Sequence, residues 1–242
     1  MFENPGLEQL IADAIATHAR VRALTDADGA RYWLKVAEQT TGVRRLQKGD
    51  ARRALRAEEK ALDRLSALGL PVTPIVARGP GYLILPDAGP TLDKLLRDPA
   101  ANPEDRIRGF AAAGEGLARL HEAGYAHGRP AIRDICWRDG RATFIDFERF
   151  RDKPRSRTAR ALDVLLFVHS WFARRADTGP ELVAAIDAYR ANVDPALWRA
   201  VILTGNLLRP LAAASTAVGR FRPRSRDLHA PGRVVAWLRS VQ

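Results

Sequence analysis

The sequence predicts an α+β fold of two unequal parts, and three observations lead to this prediction. Residues 1–88 contain strand-like segments bounded by turn residues, which predict a small sheet, together with an N-terminal helix and one core helix. Residues 89–242 are mostly helical in pattern, with apolar side chains three or four positions apart. Between the two parts, Pro86-Asp87-Ala88-Gly89-Pro90 has the composition of a linker. We therefore expect an antiparallel-sheet lobe over residues 1–88 and a mainly helical lobe over 89–242.

Turn and helix-end residues place the elements of the first part. Asp26-Ala27-Asp28-Gly29 is a turn signal between two strand-like runs, which predicts a hairpin with Lys35 on its second strand. Gly69 and Pro71 end the helix that precedes the last strand. The predicted elements are a helix over 7–19, strands over 21–24 and 32–36, a polar loop over 41–50, a helix over 51–68 and a strand over 81–85.

Capping residues place the elements of the second part in the same way. Thr91 is expected to cap a short helix that reaches Leu96, and Asn102-Pro103 to open a longer helix with Gly124 at its end. A turn at Asp139-Gly140 predicts a second hairpin. The remaining predicted helices are 159–175, 181–191, 196–218 with Pro210 as a candidate break, and 232–241.

Composition limits the class of protein. With 242 residues, 46% apolar and 28% charged, the chain can bury a sizeable core and is not expected to be disordered. The single cysteine, Cys136, excludes an internal disulfide and favours a reducing cytoplasm, and the N-terminus does not have the pattern of a signal peptide. The longest apolar stretch, 201–218, is interrupted by Arg209 and Pro210, which favours a buried helix over a membrane span.

The net charge of +11 comes from arginine, since only five lysines are present. Part of the excess fits a general preference for arginine, but two groups are clustered in the sequence. Such clusters attract phosphate groups, nucleic acid or an anionic membrane surface, and the sequence does not choose among them. The first cluster is Arg149, Arg151, Lys153, Arg155, Arg157 and Arg160, and the second is Arg220, Arg222, Arg224 and Arg226.

Two acidic residues around the second hairpin are candidate metal ligands. Asp146 follows the apolar strand residues Phe144-Ile145, and Asp134 precedes it by twelve positions on the other side of the hairpin. The Asp139-Gly140 turn would bring the two carboxylates to one edge of the hairpin. Carboxylate oxygens suit Mg²⁺, which is commonly bound by one or two of them together with phosphate groups. The pattern therefore predicts a Mg²⁺-phosphate site.

The ordered set of Lys35, Glu58, the linker, a loop at His127 and the strand-end Asp146 resembles the protein-kinase-like superfamily. In style it is closest to small bacterial lipopolysaccharide-core (Kdo) kinases, which carry an H-G-x loop and an I-D-F-E type motif. The superfamily loop reads H-x-D-x-x-x-x-N, followed by D-F-G at a strand end. His127, Asp134 and Asp146 fall on the His, Asn and metal-Asp positions of these motifs. The resemblance covers about residues 21–175 and implies a two-lobed kinase-like fold.

The resemblance also implies roles for single residues. Lys35 would contact the phosphates of ATP, with Glu58 orienting Lys35, while Asp134 and Asp146 would hold Mg²⁺. His127 would brace the loop by hydrogen bonding, and Asp163 would anchor the loop backbone. Two alternatives remain for the first pair: Lys35 exposed on an edge strand, and Glu58 in an ordinary surface pair four residues away.

Arg129 is the main departure from the superfamily, because it stands where the catalytic Asp is expected. Arginine stays protonated and cannot accept a proton, so it cannot serve as a base. It could clamp the transferred phosphate, or it could pair with Asp134 or Asp146 and displace metal. Glu148 replaces the glycine of D-F-G, and no G-x-G-x-x-G precedes Lys35.

The predicted function is phosphotransfer from ATP to a hydroxyl acceptor, with the alternative of an inactive pseudokinase that acts as a binding module. A sugar hydroxyl of a cell-envelope glycolipid is favoured as acceptor over a protein Ser or Thr, since the basic run after Asp146 suits an anionic acceptor. The expected location is the cytoplasm, with peripheral contact at the inner membrane. Nucleic-acid binding ranks last, because the arginine clusters lack interleaved aromatic residues.

Overall fold

The computed structural model describes residues 11–13, 21–37, 51–219, 221–222 and 225–242. Residues 11–13 are helical, and the rest of the helix predicted over 7–19 lies outside the described residues. The loop predicted over 41–50 also lies outside them, as do Arg220 and Arg224 of the second basic cluster.

The described residues form two compact units. The first contains the described residues up to Ala88 together with Asp146–Asp152, and the second contains Gly89–Ile145 with Lys153–Gln242. A small antiparallel sheet in the first unit and mostly helices in the second give the α+β class that the sequence predicted, with the character of a kinase-like fold. The sequence-based division placed its boundary at the same linker but assigned 146–152 to the helical part.

The first unit is built on a four-stranded antiparallel sheet. Its elements are strands β1 (Val21–Thr25) and β2 (Arg31–Val36), helix α1 (Ala51–Ala67), and strands β3 (Ala77–Gly79) and β4 (Tyr82–Pro86). The strand order is β1-β2-β4-β3, so β2 has a paired strand on each side. Lys35 pairs with Val21 on one side and Leu83 on the other. The hairpin, α1 and β4 were predicted, whereas β3 was not.

Buried side chains from β1, β2 and β4 build the core of this unit. Leu24, Leu34 and Ile84 are buried and form one apolar cluster, each on the inward face of its strand. Helix α1 buries Leu62 and Leu65, which lie one turn apart on the stripe expected to face inward. Glu58 lies on that same stripe, so the helix that supplies the apolar face also buries a carboxylate.

The second unit contains a short hairpin and seven helices in its described residues. Local capping chemistry starts two of the helices where predicted: the Thr91 side chain accepts the Lys94 N–H, and the Asn102 side chain accepts the Glu104 N–H. The elements in order are α2 (Leu92–Arg97), α3 (Pro103–Glu122), β5 (Ile135–Arg138), β6 (Arg141–Phe144), α4 (Arg157–Phe172), α5 (Pro180–Ala191), α6 (Pro195–Leu207), α7 (Arg209–Gly219) and α8 (Arg226–Ser240).

Close packing of α3 against α5 and α4 forms the centre of the second unit. A methyl group added at Gly114 of α3 would lie 2.0 Å from the backbone oxygen of Ala185 in α5, so only glycine permits this approach. On the α4 side, the ring of Phe110 meets the buried Trp171 edge to face at a centroid distance of 5.4 Å.

Two predicted helices differ from the observed ones. The helix over 196–218 is two helices, α6 and α7, bent by 49°. Pro210 marks the right region but lies in the first turn of α7, where proline is favoured. The helix predicted to begin at Gly232 starts at Arg226 instead and continues through Pro231. A proline removes one backbone donor, so it weakens an early helical turn without always ending the helix.

Among the described residues no single helix is long and apolar enough to cross a membrane. Helices α6 and α7 reach the length and apolar composition of a membrane span only when they are taken together, as a pair bent at the break between them.

Candidate functional site

A buried ion pair joins the sheet and the helix of the first unit. The Lys35 ammonium donates a hydrogen bond to Glu58 Oε1. The Glu58 side chain is 5% exposed and that of Lys35 is 17% exposed. A carboxylate so far from water needs a partner, and Lys35 provides it. Since β2 is an interior strand and Glu58 is buried, the edge-strand and surface-pair alternatives are wrong, and the predicted pair is confirmed.

Asp146 is attached to the same carboxylate through its backbone. Its N–H donates to Glu58 Oε1 at 3.3 Å. Asp146 has φ of +69°, in the left-handed region that Asp and Asn enter more readily than other side chains but still at a cost. The next residue, Phe147, is fully buried. Glu58 therefore fixes the Lys35 ammonium and the Asp146 backbone together, and the proposed metal-binding role of the Asp146 carboxylate stays a prediction.

Asp163 anchors the loop at His127 in the second unit. Its carboxylate is 1% exposed and lies on α4. Oδ2 accepts the His127 N–H at 2.6 Å, and Oδ1 accepts the Gly128 N–H at 2.9 Å. Charged acceptors make stronger hydrogen bonds than neutral ones, so this buried carboxylate holds two consecutive backbone amides firmly. The anchoring that the resemblance implied for Asp163 is confirmed.

The His127 ring braces the chain on the far side of the second hairpin. Nδ1 accepts the Arg129 N–H at 3.4 Å, which leaves the proton on Nε2. Nε2 then donates to the carbonyl of Ile145 at 2.9 Å. A ring bonded in this way is neutral and serves as a scaffold, as predicted. The carbonyl it holds belongs to the residue immediately before Asp146.

A second histidine extends this network, and the sequence did not identify it. His121, at the end of α3, is fully buried, and its Nε2 lies 3.3 Å from Asp163 Oδ2. Its Nδ1 lies 2.8 Å from the hydroxyl of Tyr189 on α5. The only sequence signal was a histidine directly after the apolar positions Leu117 and Leu120, on a face that turns out to be the core.

Burial sets the protonation of this pair. Desolvation lowers the pKa of His121, against the opposing effect of the Asp163 carboxylate, so the ring is neutral. Burial also raises the pKa of Tyr189, which keeps its hydroxyl protonated and able to donate. The consistent arrangement is Tyr189 O–H donating to Nδ1 and Nε2–H donating to Asp163. Three N–H groups, two from the loop and one from His121, then converge on a single carboxylate.

Asp134 is buried at the start of the second hairpin. Its N–H donates to the Ala131 carbonyl at 2.8 Å, and its own carbonyl accepts the Ile145 N–H at 2.9 Å. Arg133 Nε lies 3.6 Å from Asp134 Oδ1. Within the described part of the chain, no group of three or more His, Cys, Asp or Glu residues is arranged to hold a metal. Asp134 belongs to the second unit and Asp146 to the first, and their joint use as metal ligands stays a prediction.

Arg129 is held in the loop by its backbone. Its N–H contacts the His127 ring, and its carbonyl accepts the Ala131 N–H at 2.9 Å. The side chain is half-buried, and its predicted roles as phosphate clamp or metal competitor stay predictions. Glu148, in place of the D-F-G glycine, is exposed.

Comparison with known proteins identifies the family of this chain. A model of the phosphotransferase enzyme family (APH) matches residues 19–203, which is most of the chain and includes both the ion pair and the anchored loop. The chain belongs to the phosphotransferase enzyme family. It is also similar to an uncharacterized protein of Haemophilus influenzae, with 25% identity over 205 residues that cover 84% of each protein. Membership of the protein-kinase-like superfamily, predicted from the ordered motifs, is thereby confirmed.

Proposed function

We propose that this protein transfers the γ-phosphate of ATP to a hydroxyl group, with Mg²⁺ as cofactor. The carrying observation is the Lys35–Glu58 ion pair, with the Asp146 N–H on the same carboxylate. An ammonium has three N–H donors, so Lys35 can hold Glu58 and still donate to phosphate oxygens. Catalysis of phosphoryl transfer depends mainly on positioning and charge neutralisation. A lysine held in a fixed position contributes to both.

The donor set suits Mg²⁺. Asp134 and Asp146 offer hard carboxylate oxygens, and Mg²⁺ is typically held by one or two such groups together with phosphate oxygens and water. When bound, the ion would neutralise charge on the transferring phosphate. The protein's own contribution is to hold Asp146 in the left-handed conformation and to fix the Asp134 backbone through its hydrogen bonds to Ala131 and Ile145.

Arg129 is proposed to contact the transferred phosphate. It begins the turn after two amides that Asp163 fixes, so its backbone position is well determined. A guanidinium presents several donors that match phosphate oxygens, and it is worth most where charge develops in the transition state. Without a general base, the enzyme loses a contribution of roughly 10²–10⁴-fold to the reaction rate. This loss lowers the rate of phosphoryl transfer without abolishing it.

The proposed acceptor is a sugar hydroxyl on a cell-envelope glycolipid, with a protein Ser or Thr as second choice. The resemblance to Kdo kinases and the basic run from Arg149 to Arg160 motivate this choice. An anionic acceptor such as a phosphorylated sugar would be attracted by that run.

The second candidate is a pseudokinase that binds a partner without turnover. The substitution of Arg129 for the expected catalytic Asp favours it, because an arginine that paired with Asp134 or Asp146 would compete with metal. The two candidates differ in turnover and in what Arg129 does.

The test is transfer of labelled γ-phosphate with Mg²⁺ or Mn²⁺ to lipopolysaccharide-core sugars, lipid extracts and protein. Asp146→Asn is the informative variant, because Asn tolerates the left-handed conformation and removes only the charge. Asp139→Asn is its matched control, since Asp139 also has positive φ, at +51°, but lies in the hairpin turn. We expect transfer by the wild type and the control, and a loss of at least about 100-fold in Asp146→Asn.

Two outcomes would contradict the proposal. The first is no transfer to any acceptor above the level of Asp146→Asn. This result would favour the pseudokinase, whether or not ATP and metal raise the melting temperature in a way that depends on Lys35. The second is Arg129→Ala with activity at or above that of the wild type, which would exclude the phosphate clamp.

A further inference from the structure

A row of large apolar side chains is exposed on α6, α7 and the residues that follow. Among the described residues, eight large hydrophobic side chains are exposed, and five of these lie between residues 203 and 221. We call this set the apolar ridge. Its members are Leu203 at 64% exposure, Leu207 at 79%, Leu211 at 67%, Val218 at 54% and Phe221 at 89%. Single exposed leucines are normal, but five large exposed apolar side chains concentrated in one short segment of the chain are typical of an interaction surface.

Helical spacing gathers these side chains into stripes. Leu203 and Leu207 are one turn apart on α6, and Leu211 and Val218 are two turns apart on α7. The other side of α6 is packed in the core: a methyl group added at Gly205 would lie 2.2 Å from Leu238. Leu203 and Leu207 therefore form an exposed stripe on a helix whose other side is packed in the core, and α7 continues the exposed apolar side chains beyond the bend. An exposed apolar stripe on a helix is suited to binding at the surface of a bilayer.

The charged residues within the segment that carries the ridge are all arginines. Residues 195–226 contain six arginines and no Asp, Glu or Lys. Arg199 lies one turn before Leu203 on the same stripe, Arg209 lies at the bend, and Arg222 follows Phe221; all three are exposed. A long apolar face flanked by cations is the composition of helices that rest on anionic lipid bilayers.

We propose that the apolar ridge docks this protein on an anionic lipid bilayer. The leucines and Phe221 enter the boundary between headgroups and acyl chains, while Arg199, Arg209 and Arg222 contact headgroup phosphates. A second copy of the chain is a poorer occupant, because a two-fold interface would set the same arginine-rich surface against itself. Nucleic acid would use the arginines but not the ridge. The inference concerns a surface outside the phosphotransfer site and does not depend on the acceptor.

The experiment is flotation of the full-length chain with vesicles of phosphatidylcholine alone and of phosphatidylcholine with 30% phosphatidylglycerol. The wild type should float with the anionic vesicles and bind neutral ones at least about tenfold more weakly. Leu207→Glu/Leu211→Glu should bind the anionic vesicles at least about tenfold more weakly than the wild type. Val183→Glu is the matched control, since Val183 is 46% exposed on another helix of the same unit, and it should bind as the wild type does.

A second measurement tests whether the ridge contacts the bilayer, with a substitution at an exposed position that should not destabilise the protein. Phe221→Cys, labelled with an environment-sensitive nitrobenzoxadiazole dye, should show a blue-shifted, brighter emission on anionic vesicles, and Val183→Cys should not. The buried Cys136 makes the labelling selective.

The proposal is overturned if the wild type does not float with anionic vesicles at low salt, or if the double variant floats equally well. It is also overturned if the wild type is a dimer in solution, the double variant is monomeric, and neither binds vesicles. That last result would assign the ridge to a second copy of the chain.

Discussion

Removing the hydroxyl of Tyr189 tests the buried network behind the loop. In Tyr189→Phe, Nδ1 of His121 keeps its place in the core but loses the donor 2.8 Å away. Leaving one buried acceptor unsatisfied costs about 1–3 kcal/mol. The ring shape is unchanged, so loss of packing adds little. We expect the free energy of unfolding to fall by about 2 kcal/mol.

The measurement is urea denaturation followed by tryptophan fluorescence, carried out in two backgrounds. His121→Phe removes the acceptor and also one of the three donors to Asp163, so it should cost more than Tyr189→Phe alone. In the His121→Phe background, Tyr189→Phe should cost less than about 0.5 kcal/mol, because the hydroxyl no longer has its partner. Tyr82→Phe, on a half-buried strand tyrosine of the other unit, serves as control.

The same variants test whether the network acts on the loop. Hydrogen exchange at the amides of His127 and Gly128 should quicken in His121→Phe, since Asp163 then carries fewer of the bonds that fix its orientation. The reasoning is refuted if Tyr189→Phe costs the same in both backgrounds, or if it costs less than about 0.5 kcal/mol on its own.

Three further predictions concern buried groups. Because burial lowers the pKa of His121 from 6.5, the folded state should lose stability as the pH falls below 6.5, by up to about 1.4 kcal/mol per pH unit. In urea denaturation at several pH values, the free energy of unfolding of His121→Phe should depend less steeply on pH. Gly114→Ala should lower the melting temperature in calorimetry, with a loss of about 1–3 kcal/mol, because the new methyl group meets the backbone oxygen of Ala185; an unchanged melting temperature would count against the close approach. Lys35→Met should cost about 3 kcal/mol in urea denaturation by stranding Glu58, and adding Glu58→Gln should recover part of it; no recovery would mean that the pair is not the cause.

Local chemistry was sufficient for much of the fold. Thr91 and Asn102 cap helices through hydrogen bonds to residues two or three positions later, and Asp139-Gly140 forms the turn of the second hairpin. Each of these features can therefore be recognised from a few neighbouring residues. Strand β3 was missed because Ala77-Arg78-Gly79 has no alternation of its own and is a strand only through pairing with β4.

The site shows the same limit. The resemblance to the kinase-like superfamily paired Lys35 with Glu58, and the position of Glu58 on the apolar stripe of the next helix supported that pairing. His121 and Tyr189 are 68 positions apart, and neither belongs to a motif. Their contact depends on how α3 packs against α5, and that packing is decided by the whole core rather than by neighbouring residues.

The assignment of Asp146–Asp152 to the first unit has a consequence for recombination between relatives. The chain passes from one unit to the other after Ala88, after Ile145 and again after Asp152. A single exchange at the linker would therefore combine the Glu58 of one parent with the Asp146 backbone of the other. In a functional chimera, two separate segments should come from the same parent: the N-terminal segment up to Ala88 and the heptapeptide from Asp146 to Asp152. The residues on either side of the heptapeptide could come from the other parent.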